Sequence, residues 1–290
     1  MRILIIGNGL ISASIVERLE SENNEILVFS RTFAEKIKCH QILGDIFDFE
    51  KFIKVLDWKP QIIIHTAWIT TPGIYTNDLS NFQYAHFSIK LAKYLTYSNV
   101  EHLIILGTCA EYGNQIGPST AGFTKLSPVT LYAQQKVVAF TSVKEILQRS
   151  DMRLTWARIF YPYGPNQHHQ RLIPYLINAL KNGDSIILSD TTSIHDWITT
   201  RDIASAISWV ISNNVPLEID IGTSFGFTNL QLLITLEKLL QINIPLPSRG
   251  GMHNLGLNQV FVTSKNSPLF ISGWSPVDSL NSGLEWVVGK

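Results

Sequence analysis

Cysteine and net charge are both scarce in this sequence of 290 residues. The two cysteines, Cys39 and Cys109, form neither a disulfide framework nor a zinc-ligand pattern, which favours a reducing, cytoplasmic setting. Lysine plus arginine equals aspartate plus glutamate at 23 each, so no net field attracts nucleic acid or an anionic membrane surface. We therefore expect no nucleic-acid partner, no membrane partner and no metal site.

Long apolar runs are missing as well. The apolar start of the chain is interrupted at Gly7–Gly9 and no small-residue cleavage site follows, so no secretory signal is predicted. No uninterrupted run reaches the roughly 18 apolar residues of a membrane-spanning helix. Hydrophobic residues nevertheless make up 45% of the chain and charged residues only 16%, which is typical of a compact, enzyme-like protein.

Apolar runs and helical periodicities alternate along the first half of the chain. Strands are predicted at Arg2–Ile6, Glu25–Phe29, His40–Leu43, Gln61–His65, His102–Leu106 and Arg153–Phe160. Helices are predicted after Leu10 and at Phe47–Leu56, Asn77–Tyr97 and Val129–Leu147. This alternation predicts right-handed β–α–β units and a doubly wound parallel sheet with helices on both faces.

The regular alternation of predicted strands and helices ends after Phe160. Further elements are predicted at Leu172–Leu180, Ser185–Leu188 (a strand), Arg201–Ile211, Glu218–Ile221 (a strand) and Asn229–Leu240, followed by a loose stretch at Pro245–Asn258 and a weakly structured tail to Lys290. We predict a larger α/β domain from residues 1–160 plus about 195–225. A smaller C-terminal α/β lobe, which would bind substrate, is predicted from about 161–194 and 226–290.

The sequence GNGLIS directly follows the first strand and opens a helix. Gly7 and Gly9 permit a tight turn, and the N–H groups of Leu10 and Ile11 at the helix start can approach a pyrophosphate. Ser12 stands where the third glycine of a G-x-G-x-x-G motif would allow close helix–strand packing. This context predicts a bound dinucleotide.

The second strand ends in Ser30 and Arg31 rather than in a carboxylate. An acidic residue there binds the ribose 2′-hydroxyl of NAD, whereas an arginine suits the 2′-phosphate of NADP. The pattern favours NADP, with NAD as the alternative, although Arg31 is also consistent with an ordinary solvated loop residue. Asp45, after the third strand, fits either an adenine contact or a helix cap.

Tyr132 and Lys136 are four residues apart in a predicted helix, so their side chains share one face. A cation beside a phenol favours the phenolate and would bring Tyr132 towards acid–base chemistry. Thr108, at the end of an apolar strand, offers a hydroxyl that could hold a substrate carbonyl oxygen. An ordinary amphipathic pair is the alternative reading of Tyr132 and Lys136.

Together these residues resemble the extended short-chain dehydrogenase/reductases, the NAD(P)-dependent nucleotide-sugar epimerase/dehydratase family. The likeness covers nearly the whole chain, and its order and spacing make it specific. Besides the glycine turn and YAQQK, the matching segments are IIIHTAW, GTCAEYG, ARIFYPYGPNQ, RLIPYLINAL, HDWITTRDIA, IDIGT and GWSP. The resemblance implies a Rossmann sheet, a nucleotide-diphosphate sugar as substrate and a homodimer.

The resemblance also implies a role for each matching residue. Thr108, Tyr132 and Lys136 would be catalytic, with Lys136 also binding the nicotinamide ribose. The cofactor would contact Gly7, Gly9, Leu10, Ile11, Ser30, Arg31, Asp45, Ile46, Thr66 and Ala67. The substrate would contact Trp68, Cys109, Glu111, Tyr161, Arg171 and His195, with Arg171 placed for a diphosphate.

Departures from the family pattern narrow the chemistry. Members that eliminate water carry Asp-Glu after the catalytic threonine, where this chain has Cys109 and Ala110, and Glu111 comes one position too late. The Cys–His pair of members that invert two further carbons is also missing. We expect an NADP-dependent 4-ketoreductase of a nucleotide-activated deoxysugar. The alternatives are a nucleotide-sugar 4-epimerase with tightly held NAD and a catalytically silent NAD(P)-binding regulatory protein.

Overall fold

The computed structural model describes residues 1–188, 190–242 and 258–289. Its main strands are β1 (Arg2–Ile6), β2 (Glu25–Ser30), β3 (His40–Leu43), β4 (Ile62–His65), β5 (His102–Thr108), β6 (Arg153–Ile159) and, after three shorter strands, β10 (Glu218–Ile221). They form one parallel seven-stranded sheet in the order β10-β6-β5-β4-β1-β2-β3. The order of the strands reverses between β1 and β4, and a ligand crevice lies beyond the carboxyl ends of the strands at such a point. The predicted doubly wound sheet is confirmed.

Helices cover both faces of this sheet. The helices of the described residues are α1 (Leu10–Ser21), α2 (Phe49–Phe52), α3 (Ser80–Leu95), α4 (Leu131–Leu147), α5 (Leu172–Asn182), α6 (Thr200–Ser212), α7 (Asn229–Leu240), α8 (Pro268–Ile271) and α9 (Leu280–Val288). Helices α1 and α6 pack together on one face, and α3 and α4 on the other. Because successive strand residues point to opposite faces, Ile3 and Ile5 of β1 join one apolar core while Leu4 and Ile6 join the other.

The C-terminal half adds short strands beside the crevice. These are β7 (Tyr161–Tyr163), β8 (Ile194–His195), β9 (Trp197–Thr199), β11 (Phe227–Thr228) and β12 (Val260–Phe261). Strand β7 pairs with β9, and β8 lies between β11 and β12. Helices α5, α7 and α9 enclose a separate apolar core that includes Leu176, Leu232 and Leu284. The exact division of the chain into two lobes stays a prediction.

Several predicted bounds shift by a few residues. Helix α3 begins at Ser80 rather than Asn77, and α4 begins at Leu131 because Thr130 caps it by accepting a hydrogen bond from the Ala133 N–H at 3.2 Å. The predicted helix Phe47–Leu56 is α2 followed by a 3-10 turn, Ile53–Trp58, before Pro60.

Two predictions for the C-terminal half are wrong. Residues 185–188 form no strand, and only Leu188 makes an isolated bridge. The tail is not weakly structured, because α8 and α9 pack onto the body: Leu269 and Trp274 join the core under α6, and Leu284 joins the core under α7. Short segments of this kind carry little helical signal alone and depend on tertiary packing. Most of the predicted loose stretch, residues 245–257, lies outside the described residues.

Candidate active site

A glycine turn joins β1 to α1 at the crevice. Gly7 has a φ of +111°, and a Cβ there would lie 2.5 Å from Thr66 Oγ1, so only glycine fits both the backbone and the space. Thr66 Oγ1 also lies 2.8 Å from Ser12 Oγ, which shows how a serine substitutes for the third glycine. No atom of the described residues lies within 4 Å of a Cβ at Gly9, so the turn leaves space at the N-terminus of a helix. This arrangement fits the pyrophosphate of a dinucleotide.

The segment after β2 forms the outer rim of the same cleft. Ser30 is buried and donates its hydroxyl hydrogen bond to the Thr32 carbonyl at 2.8 Å, whereas Arg31 is exposed and lines the cleft. Lys36 and Lys38 line the rim too, together with Glu35. These lysines were not among the predicted cofactor contacts, although a group of cations soon after the second strand is visible in the sequence.

The other predicted cofactor contacts divide into two groups. Leu10, Ile11, Ile46, Thr66 and Ala67 all line the cleft, and the N–H groups of Thr66 and Ala67 both donate to the Ile6 carbonyl. Asp45 does not line the cleft. Its carboxylate accepts a hydrogen bond from the Phe47 N–H at 2.9 Å, so its role as a turn cap is the one that the structure supports.

Thr108, Tyr132 and Lys136 meet in the centre of the cleft. Thr108 is the last residue of β5, while Tyr132 and Lys136 are one turn apart on α4. The Thr108 hydroxyl lies near enough to the Tyr132 phenol to lower the pKa of that phenol, and both side chains line the cleft. The rings of Tyr75 and Trp68 meet the Tyr132 ring edge to face, at centroid distances of 5.0 and 6.4 Å. The structure thus brings together the three side chains that the sequence singled out.

The charges in this centre differ from the expectation. Burial raises the pKa of Tyr132, and the Thr108 hydroxyl, not Lys136, is the group that opposes this rise. Burial lowers the pKa of Lys136 to about 7, with Glu111 opposing the change. The Lys136 ammonium donates to the Leu106 carbonyl at 2.6 Å and lies 3.9 Å from the centre of the Trp68 ring. Burial therefore has a larger effect on the pKa of Tyr132 than the cation of Lys136, which differs from the expectation that Lys136 favours the phenolate.

Glu111 is not a substrate contact. Its side chain is fully buried and does not line the cleft. Its carboxylate accepts hydrogen bonds from the Thr108 N–H at 2.9 Å, from Trp156 Nε1 at 3.1 Å and from Arg158 Nε at 2.7 Å. With its oxygens engaged by protein donors, Glu111 has no free acceptor for a sugar, and that prediction is wrong.

Aromatic side chains line the opposite wall of the cleft. The Tyr161 ring lies 4.3 Å from the His195 ring and 5.3 Å from the Trp197 ring. Burial lowers the pKa of His195 to about 4, so this side chain is neutral at pH 7. Cys109 also lines the cleft, and burial raises the pKa of its thiol.

Arg171 is the predicted diphosphate contact, and it lines this same wall. Its Nη2 donates to the Thr70 carbonyl at 2.5 Å, and its guanidinium lies 5.1 Å from the Tyr75 ring. Trp68 lines the cleft but is mostly buried, with its Nε1 donating to Asn81 at 2.7 Å. Within the described residues, no group of three or more His, Cys, Asp or Glu side chains is placed to hold a metal ion.

The cleft has a volume of about 1670 Å³ and runs from the glycine turn past Tyr132 to His195. Pockets for single small ligands measure roughly 300–1,000 Å³, so this cleft has room for two large ligands end to end. The fold and the cleft define a dinucleotide-binding α/β enzyme with a hydroxyl, a phenol and a lysine at its centre.

The chain belongs to the NAD dependent epimerase/dehydratase family, whose profile matches residues 3–222. A UDP-glucose 4-epimerase of Lactobacillus helveticus is 24% identical, covering 95% of this chain and 92% of the relative. A dTDP-D-glucose 4,6-dehydratase of Bos taurus is 24% identical, covering 88% and 76%. The solved UDP-glucose 4-epimerase of Thermus thermophilus in complex with NAD has a TM-score of 0.88 at 19% identity, covering 100% and 98%.

Proposed function

We propose that this chain reduces the 4-keto group of a nucleotide-activated deoxysugar, with NADPH as the reductant. The observation that supports the proposal is that, among the described residues, no carboxyl group lines the centre of the cleft beside Tyr132. Tyr132 meets Thr108 there, while the neighbouring Cys109 is a buried thiol and Glu111 is engaged with Trp156 and Arg158. One proton donor suffices for reduction of a ketone, whereas elimination of water needs a further acid–base pair.

Each of these residues of the cleft would have a separate role in the proposed reaction. The Thr108 hydroxyl would hold the carbonyl oxygen of the sugar, and Tyr132 would donate a proton to that oxygen. A bound NADPH would supply the hydride to the carbonyl carbon. Burial raises the pKa of Tyr132 and so keeps the phenol in the protonated form from which it can donate. Lys136 would orient the nicotinamide ribose.

The preference for NADP rests on the rim after β2. Arg31 lines the cleft directly after Ser30, at the position where a carboxylate would bind the ribose hydroxyls of NAD. A guanidinium there suits a 2′-phosphate, which it can bind through two parallel hydrogen bonds. At the other end of the cleft, Arg171 would bind the substrate diphosphate next to the aromatic wall.

The test is to mix the purified chain, NADPH and a 4-keto-6-deoxy nucleotide sugar, with each common nucleoside in turn. We expect the absorbance of reduced nicotinamide to fall with at least one of them, and NMR of the product to show a new hydroxyl-bearing C4. NADPH that binds but is never consumed would instead support a catalytically silent binding protein.

A 4-epimerase is the second candidate, and the full-length similarity to the UDP-glucose 4-epimerase of L. helveticus favours it. An epimerase returns the hydride to the same substrate, so its NAD stays bound and no added cofactor is consumed. Copurified NAD, together with isomerisation of a nucleotide sugar without any added cofactor, would replace the reductase proposal with this one.

The family resemblance also implies a homodimer, and we propose that α3 and α4 form its contact surface. Leu79 beside α3, and Phe82 and Tyr94 on α3, are respectively 74%, 50% and 44% exposed, which is a high exposure for large apolar side chains. Light scattering of the purified chain would give a dimer mass if this is correct and a monomer mass if it is not. No helix of the described chain is long and apolar enough to span a membrane.

A further inference from the structure

Glu111 carries a buried charge for which the proposed reaction has no use. It lies in the 3-10 turn Cys109–Tyr112 that follows β5, and both Glu111 and its partner Arg158 are fully buried. The Glu111 carboxylate accepts the Thr108 N–H while the Thr108 hydroxyl accepts the Ala110 N–H, which is a reciprocal capping box. The backbone of the proposed catalytic threonine is therefore tied directly to this carboxylate.

A line of alternating charges leads from Glu111 to the helix that bears Tyr132. Arg158 donates through Nε to Glu111 at 2.7 Å and through Nη1 to Glu218 at 2.9 Å. Glu218 in turn accepts from Lys144 at 3.2 Å, and Lys144 lies on α4. These contacts run from the 3-10 turn after β5 through β6 and β10 to α4, and so connect the two parts of the chain that must meet at the substrate oxygen.

The surroundings leave just enough space for this carboxylate. A Cβ at Gly107 would lie 2.7 Å from Glu111 Oε1 and 2.3 Å from Trp156 Nε1, so a larger residue would displace both groups. Stability does not require such a pair, because replacing a buried ion pair with apolar residues of similar volume is often neutral or stabilising. A geometric role at the neighbouring Thr108 accounts for the pair better than stability does.

We propose that Glu111 is a positioning residue, which holds Thr108 so that its hydroxyl faces the Tyr132 phenol. This inference rests on the proposed function, since it concerns the same reaction centre. Glu111 itself does not reach the substrate, because its oxygens are engaged with Thr108, Trp156 and Arg158.

A double-mutant cycle tests this role. Glu111→Gln should lower kcat by about 100-fold, the size of loss expected when a reacting group is misplaced by about 1 Å, with KM changed by less than about 3-fold. In the Thr108→Val background the same substitution should cause less than about a 3-fold further loss, because Glu111 acts only through Thr108. Independent, multiplicative losses would overturn the proposal.

Asp202→Asn is the matched control. Asp202 is another buried carboxylate that accepts backbone N–H hydrogen bonds, from Val277 and Asp278, and it does not line the cleft. The Asp202→Asn substitution should lower the melting temperature of the chain and leave kcat unchanged. A loss of kcat in Asp202→Asn as large as that in Glu111→Gln would mean that any buried carboxylate matters, and would overturn a specific role.

A milder variant covers the case in which Glu111→Gln does not fold. Glu218→Gln removes the outer partner of Arg158 at a side chain that is 17% exposed. It should lower kcat about 3-fold, and only when Thr108 is present; an unchanged kcat would overturn the proposal.

Failure of the proposed function can be separated from failure of this inference. If the wild-type chain neither reduces nor isomerises any nucleotide sugar, the proposed function is wrong. Hydrogen exchange of the Thr108 amide still tests the inference then, since it needs no substrate. The exchange should be faster by at least about 10-fold in Glu111→Gln and unchanged in Asp202→Asn. Equal exchange rates in wild type and Glu111→Gln would overturn the inference by itself.

Discussion

The two walls of the cleft are built in different ways. On the N-terminal wall, Gly7, Thr108 and Tyr132 lie at the ends of long regular elements of the seven-stranded sheet and its helices. On the C-terminal wall, Tyr161 and His195 lie on strands of three and two residues, and they hold their places mainly by contacts between aromatic rings. The difference indicates that the reaction centre is fixed by the fold, while the substrate wall is fixed by side-chain packing.

The two walls also differ in charge. The N-terminal wall has Lys136 at its centre and Arg31 at its rim, whereas His195 on the C-terminal wall is neutral at pH 7 because burial lowers its pKa to about 4. Arg171 is the cation that we assign to a substrate diphosphate, and its present partners are the Thr70 carbonyl and the Tyr75 ring. We infer that cofactor and substrate are held by different means, the first chiefly by backbone and charge and the second chiefly by aromatic contacts.

The largest expected effect tests whether the N-terminal wall is the reaction centre at all. Tyr132→Phe removes the only proton donor in our proposal, and acid–base groups of this kind typically contribute about 100- to 10,000-fold. We expect kcat to fall about 1,000-fold while the affinity for NADPH, measured by fluorescence, stays within about 2-fold. Tyr75→Phe, on the neighbouring ring, is the matched control. Equal turnover in Tyr132→Phe and wild type would show that Tyr132 is not the proton donor. The N-terminal wall would then not be the reaction centre.

The next effect concerns the buried lysine of the same wall. Burial lowers the pKa of Lys136 to about 7 in the folded chain, from 10.5 for a free side chain. Between these two pH values the unfolded chain binds a proton that the folded chain does not, so the free energy of unfolding rises with pH across this window. Lys136→Met should remove up to about 1.4 kcal/mol per pH unit of that slope.

Urea denaturation of both chains from pH 7 to 10 measures this difference. Lys93→Met, at an exposed position on α3, is the matched control and should leave the slope of the wild type unchanged. Curves for Lys136→Met that run parallel to those of the wild type would show that Lys136 keeps its proton in the folded chain. The cleft would then contain a permanent cation.

The sequence predicted the N-terminal wall well, because its residues follow local rules. A glycine turn after a strand and a four-residue spacing on a helix fix where Gly7, Tyr132 and Lys136 lie without any knowledge of distant contacts. The pKa of Lys136 depends instead on burial, since its side chain is only 4% exposed, and no local pattern encodes that.

Long-range contacts explain what the sequence did not predict. The role of Glu111 depends on Arg158, which lies 47 residues further along the chain and comes close only because β5 pairs with β6. Similarly, α9 is stabilised by a core that includes Leu176 and Leu232, both far from it in sequence. Local periodicity contains no information on such partners, so these features need the assembled fold.

A smaller effect tests the cationic rim of the N-terminal wall. Arg31→Ala should lower kcat/KM for NADPH by about 10- to 100-fold, since a hydrogen bond to a charged group is worth about 1.5–3 kcal/mol, and should leave the value for NADH unchanged. Arg18→Ala, at an exposed arginine of α1 that does not line the cleft, is the matched control. Equal losses of kcat/KM with NADPH and NADH would show that Arg31 does not bind the 2′-phosphate.

The smallest effect tests how the C-terminal wall is supported. Ser279 caps α9 by accepting the Ser282 N–H at 3.1 Å, and α9 packs against β9, the strand that contains Trp197 of the aromatic wall. Ser279→Ala should lower the free energy of unfolding by about 1 kcal/mol, the usual cost of a lost N-cap. Because packing rather than this cap holds the wall, KM for the sugar nucleotide should change by less than about 2-fold. A larger rise in KM at unchanged kcat would show that the substrate wall depends on α9, and that the fold fixes both walls after all.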